Sequence, residues 1–214
     1  LRLPDSIRIV ALCCALLAGC ADIPRQGPET YIVRPQDTLY SIAWRHDLDY
    51  RELARLNHLG ADYRIEVGQT LLLRSTGRAA APAPAKPAAR SAKPTGKWVW
   101  PTEHSVSLRP VPGGGILLLG TVGQEIRAAS AGRVVYTGSG LRGYGNLIII
   151  KHTETLLSAY AHNRDVLVQE GQDVLAGQTI ARMGEGPNHA AALYFDIREN
   201  GKPTDPLRYL NAPN

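Results

Sequence analysis

The sequence predicts a mainly β domain of antiparallel sheets, preceded by a small α+β (βααβ) module and a disordered linker. Three observations carry this expectation. From Trp98 to Leu210, short apolar runs alternate with Gly-bearing turns and no stretch holds a helical period for long. From Tyr31 to Leu73, the pattern passes from strand-like to helical and back. Between them, residues 74–97 read RSTGRAAAPAPAKPAARSAKPTGK, where Pro-Ala alternation keeps the chain extended and leaves no apolar face to bury.

The expected domains are a signal segment at 1–19, a tether at 20–30, the small module at 31–73, the linker at 74–97 and the β domain at 98–214. Arg2 and Arg8 precede the apolar run Ile9–Ala18, which is too short to cross a bilayer as a stable helix. The run ends in Leu17-Ala18-Gly19-Cys20, which resembles the bacterial lipobox. That resemblance implies cleavage before Cys20 and acylation of its thiol. Cys13 and Cys14 fall in the removed segment, so no thiol is left for disulfides or metal.

In lipoproteins of this kind an Asp directly after the Cys favours inner-membrane retention. Here Ala21 intervenes before Asp22, and the expected location is the outer membrane, lipid-anchored and facing the periplasm. The net charge of +5 is concentrated in the linker, where Arg74, Arg78, Lys86, Arg90, Lys93 and Lys97 have no acidic neighbour. Such a segment is a solvated tether or lies against anionic wall polymer or lipid; no nucleic-acid partner is expected.

In the small module, Tyr31–Val33 reads as a short strand and Thr38 is placed to cap a helix burying Leu39, Ile42 and Ala43. Leu48 falls in a loop, Leu53, Ala54 and Leu56 form a second helical stripe, and Thr70–Leu73 return as a strand. The segments YIVRPQDTLYSIA, Asn57 and IEVGQTL resemble a LysM module, which binds N-acetylglucosamine-containing glycans such as peptidoglycan. The resemblance implies peptidoglycan binding around Asp37, Thr38, Leu39, Asn57, Ile65, Gly68 and Gln69. Gln36 stands where that family usually has Gly, and Arg64 where Pro is common.

In the β domain, GRVVYTG, GYGNLIIIKH, LLSAYAHN, VQEGQDVLAGQTIARMG and LYFDIRENGKPTDPLRYL follow one another in the order of the LytM (lysostaphin-type) zinc peptidases, which they resemble. Members of that class hold zinc through the His and Asp of H-x-G-[IV]-D and the second His of H-x-H. The first His of H-x-H and the His of a Y-x-H strand assist. On this alignment the ligand positions fall on Gly113, Leu117 and Tyr194, and one catalytic position falls on Ala192. His162 alone keeps the family identity. A zinc site needs three fixed ligands and an open position, so no metal and no cofactor are expected, and the domain is read as degenerate and not an enzyme.

What remains is a cleft expected to be lined by Tyr144, His152, Tyr160, His162, Tyr194 and Arg198. Aromatic walls with a few polar tips suit a peptide or helix. LYFDIR resembles the strand of catalytically inactive relatives, in which the Tyr and Arg help form an amidase-engaging groove. The resemblance therefore implies a lipid-anchored, non-enzymatic activator of a cell-wall N-acetylmuramoyl-L-alanine amidase that serves septal wall hydrolysis and daughter-cell separation. Its partners would be the amidase, peptidoglycan and, through Cys20, the membrane. The alternatives are a zinc endopeptidase with relocated ligands and a wall-binding structural lipoprotein.

Overall fold

A computed structural model describes residues 29–74, 98–103, 107–111 and 114–210. The signal segment with Cys20, the linker from residue 75 and Gly113 lie outside these residues. In the small module, β1 (Thr30–Ile32) pairs antiparallel with β2 (Thr70–Leu72), and α1 (Leu39–Arg45) and α2 (Tyr50–Leu56) lie between them. Thr38 starts α1 through a capping box: its hydroxyl accepts from the Ser41 N–H, and Ser41 Oγ accepts from the Thr38 N–H. The Asp49 carboxylate caps α2 at the Arg51 N–H. Gln36 adopts φ 67, which accounts for the preference for Gly at this position in similar modules.

The β domain contains β3 (Ser107–Pro110), β4 (Ile116–Leu119), β5 (Glu125–Arg127), β6 (Gly132–Gly138), β7 (Asn146–Lys151) and β8 (Leu156–Val166). These are followed by β9 (Asp173–Val174), β10 (Thr179–Met183), β11 (Ala192–Glu199), β12 (Lys202–Thr204) and the short helix α3 (Leu207–Leu210). The strands pair antiparallel in the order β3-β4-β11-β8-β7-β6-β9, with β10 bridging β5 and β8, and β12 on β11. The mainly β, antiparallel architecture with a small α+β module before it is thus the one observed.

A repeated turn holds the hairpins and the module in register. At Gly68-Gln69, Gly123-Gln124, Gly171-Gln172 and Gly177-Gln178 the Gly takes φ of +80 to +87. In each, the Gln side-chain oxygen accepts from the N–H three residues earlier: Glu66, Thr121, Gln169 and Leu175. The Gln N–H closes the turn from the other side by donating to the carbonyl of that same residue. A side chain at the Gly would be strained in this left-handed geometry, so the Gly-Gln pair is a structural signature.

The central sheet is covered on both faces. Ile148, Ile150, Tyr160, Phe195 and Ile197 point into the core of the β domain with Trp98, Met183 and Tyr209. Ile149, Leu157, Ala159 and Ala161 point the other way, into an apolar cluster shared with Leu39, Trp44 and Leu53 of the small module. The module is therefore packed against the β domain as well as tied to it through the chain.

Candidate functional site

The site is built where β4 and β11 run side by side. Leu117 and Tyr194 are direct cross-strand partners, so two positions that the sequence resemblance sets at metal-ligand places face one another. Alternation along β11 puts Tyr194, Asp196 and Arg198 on one face, while Leu193, Phe195 and Ile197 enter the core. The Tyr194 ring leans over the turn before β4, and its hydroxyl donates to the Gly114 carbonyl at 3.3 Å. A Cβ at Gly115 would stand 3.0 Å from that ring and 2.8 Å from the Phe195 carbonyl, and Gly115 has φ 77, so only glycine lets the ring close down. Tyr144 meets Tyr194 edge to face, with centroids 5.6 Å apart.

These side chains line a cleft of about 410 Å³ with Asp47, Val111, Leu117, Gly143, His162, Pro187 and Arg198. The cleft therefore collects four of the expected groove residues: Tyr144, His162, Tyr194 and Arg198. His162 reaches it through a β-bulge. Tyr160 pairs with Ile148, but Asn163 pairs with Asn146, and the extra residue is absorbed with His162 at φ 64. Without the bulge His162 would share the face of Tyr160. Burial lowers the pKa of His162.

His152 and Tyr160 do not line the cleft, which corrects the grouping expected from the sequence. Tyr160 is fully buried in the core, where its hydroxyl accepts from the Ala129 N–H at 2.8 Å. The Ser158 hydroxyl bridges that phenol, at 3.0 Å, and His152 Nε2, at 2.7 Å. His152 Nδ1 lies 2.8 Å from the Ala131 carbonyl and burial pushes its pKa down to about 4, so it is a neutral structural imidazole donating to that carbonyl. Ala192 is also fully buried.

Asp196 is fully buried between Tyr194 and Arg198 on the same face of β11. Burial pushes its carboxyl up to about 6, while the neighbouring Arg198 pulls it down. One oxygen accepts from Arg198 Nε at 3.3 Å, and the other is buried with no hydrogen-bond partner among the described residues. The Tyr194 phenol is raised by burial first and by the Asp196 charge second, so it stays protonated. Arg198 also pairs with Asp47 of the small module at 3.0 Å and donates to the Trp44 carbonyl at 2.8 Å.

The residues here do not fit a zinc ion. Leu117 presents hydrocarbon, Tyr194 presents a neutral phenol already committed to a carbonyl, and Ala192 has no donor. No cluster of three His, Cys, Asp or Glu suited to a metal occurs among the described residues. His189 pairs with Glu185 at 3.2 Å on an exposed loop.

The expected glycan residues divide. Asp37, Thr38, Leu39 and Ile65 border a second cleft of about 430 Å³ together with Tyr40, Tyr63 and, from the β domain, Arg133 and Glu170. Within it Asp37 is tied to the Tyr31 hydroxyl and the Arg34 N–H, and Leu39 is core. Asn57 lies elsewhere and clamps α2 to β2 through Leu53 and Leu72, and Gly68-Gln69 form one of the repeated turns. Tyr40, Tyr63 and Arg133 were not singled out by the sequence, because nothing in their spacing announces that a second domain borders the groove.

The chain matches the LysM domain over residues 31–74 and peptidase family M23 over residues 112–206. It is 40% identical to a lipoprotein NlpD/LppB homolog of Pseudomonas aeruginosa, covering 94% of this chain and 90% of the relative. It is 42% identical to the uncharacterized lipoprotein YgeR of Escherichia coli, over 91% and 88% of the two chains. The murein hydrolase activator NlpD of E. coli is 37% identical over 85% of this chain and 67% of its own length. A peptidase M23 structure from P. aeruginosa superposes with a TM-score of 0.50 at 23% identity, over 55% and 52% of the chains, and shares the fold. The LysM module, the M23-type β domain and the end-to-end likeness together place this chain in the NlpD/LppB lipoprotein family.

Proposed function

We propose that this chain is a lipid-anchored, non-enzymatic activator of cell-wall hydrolysis whose target is an N-acetylmuramoyl-L-alanine amidase. The observation that carries the proposal is the pairing of Leu117 with Tyr194 and the closure of the Tyr194 ring over Gly114 and Gly115. A peptidase needs that space for metal and water; here a phenol fills it, and a binding surface remains. Relatives named murein hydrolase activators support the same reading.

The chemistry then belongs to the partner. The Tyr144 and Tyr194 rings, with Leu117, Val111 and Pro187, offer apolar walls for the side chains of a partner helix. The LysM module would hold the glycan, Cys20 would hold the outer membrane from the periplasmic side, and the basic linker would join the two modules. The mature full chain, immobilised and exposed to candidate periplasmic amidases, should retain one of them and raise its release of dye from labelled peptidoglycan. Retention of none, or retention without a rise in activity, contradicts the proposal.

A further inference from the structure

The Arg198 end of the cleft is already occupied, and its occupant is the small module. Arg198 is 4% exposed, and the residues that cover it belong to the corner between α1 and α2. Its guanidinium lies 3.9 Å from the centre of the Trp44 ring, donates to the Trp44 carbonyl and pairs with Asp47. The contact extends beyond this residue. The Tyr50 hydroxyl bonds Glu154, Arg51 donates to Asn200 at 2.8 Å, and Lys202 donates to the Asp47 carbonyl at 3.1 Å.

Backbone meets backbone at the same place. Asn200 and Gly201, at φ 53 and 75, make the tight turn between β11 and β12. A Cβ on Gly201 would stand 2.4 Å from the Asp49 nitrogen and 2.5 Å from the Leu48 carbonyl, so this turn is pressed against the module with no room for a side chain. Tyr194, by contrast, remains half-buried at the open end of the cleft.

We infer that the α1–α2 corner of the LysM module is an intramolecular competitor for the partner-binding face: a partner helix that engages Arg198 must first displace it. The inference rests on the proposed partner function and adds its regulation. A face available only in the undocked fraction binds its partner with an apparent affinity reduced by that fraction. Separating the modules therefore strengthens activation, and the linker lets them part without breaking the chain.

The test uses the full mature chain. Gly201→Asn keeps a residue type that tolerates positive φ and drives a side chain into the Leu48–Asp49 backbone, away from the cleft. Asp47→Asn combined with Tyr50→Phe is a gentler second variant that removes contacts across the interface without a steric wedge. Phenylglyoxal modification of Arg198, read by peptide mass, reports docking without any partner. Dye release by the amidase reports activation. Arg198 should be protected in the wild type and reactive in both variants, and both should activate at lower concentration by roughly fivefold or more. Reactive Arg198 with unchanged activation overturns the competition while leaving the partner function standing. Reactive Arg198 in the wild type overturns the docking itself. If neither wild type nor variants activate any amidase, the partner function fails and the competition falls with it.

Discussion

The Arg198 guanidinium stacks on Trp44, 3.9 Å from the ring centre, while its Nε faces the fully buried carboxylate of Asp196 at 3.3 Å. One side chain thus joins the LysM module to the floor of the β domain. Arg198→Ala removes the stacking and the group that holds the Asp196 carboxyl down, so that buried carboxyl must take up a proton or stay uncompensated, a loss of about 3 kcal/mol. Thermal melts of the full chain should fall by several degrees, and an unchanged melting temperature would show that the pair does not contribute.

Tyr194 behaves differently, because its ring faces an open cleft and its hydroxyl makes a single bond to Gly114. Tyr194→Ala should lower amidase activation by a factor corresponding to about 2 kcal/mol, with a smaller change in melting than Arg198→Ala. Full activation by this variant would move the binding surface elsewhere. Tyr194→His supplies one imidazole opposite Leu117, which offers nothing to a metal, so equilibrium dialysis should find no stoichiometric zinc.

Asp196 and His152 give opposing pH dependences in one window. The Asp196 carboxyl titrates at about 6 in the folded chain against 3.8 when free, so the folded state binds the extra proton. Its contribution is favourable at low pH and is lost as pH rises to about 6. His152 titrates at about 4 against 6.5 when free, so its neutral form stabilises above pH 6.5 and that stability is lost as pH falls toward 4. Asp196→Asn should therefore gain on the wild type by about 2 kcal/mol between pH 4 and pH 7. Denaturation at the two pH values measures the gap, and a constant gap contradicts the assigned shift.

Anchoring is tested separately. Cys20→Ala should release the protein from the membrane fraction, whereas Cys13→Ala and Cys14→Ala should leave the mature protein unchanged. One acyl chain holds a membrane marginally and several hold it nearly permanently, so the shift should be large. Normal membrane recovery of Cys20→Ala would exclude lipidation at that residue.

The sequence makes the face of β11 legible, because strict alternation sets Tyr194, Asp196 and Arg198 together. It makes the LysM helices legible as well, since Thr38 and the apolar spacing around Ile42 act locally. Tyr160 and His162 stand two apart in β8, a spacing that regular alternation would put on one face; the bulge that separates their faces depends on pairing with β7 and is not legible locally. The sequence places His152 among the groove residues, but its environment is made by Ala131, in the turn before β6, and by Ser158 of β8. Docking of the LysM module was not legible at all. A Pro-Ala linker signals reach, and nothing local to Trp44 or Gly201 reveals that they meet partners across the domain boundary.

The cleft around Tyr194 is proposed to recruit a hydrolase and to perform no hydrolysis itself. Dye release from labelled peptidoglycan, with zinc supplied, measures this directly for the mature chain alone, for the amidase alone and for both together. No release is expected from the chain alone, little from the amidase alone and a strong rise from the mixture. Chelator-sensitive release by the chain alone, or a mixture no faster than the amidase, would contradict the proposal.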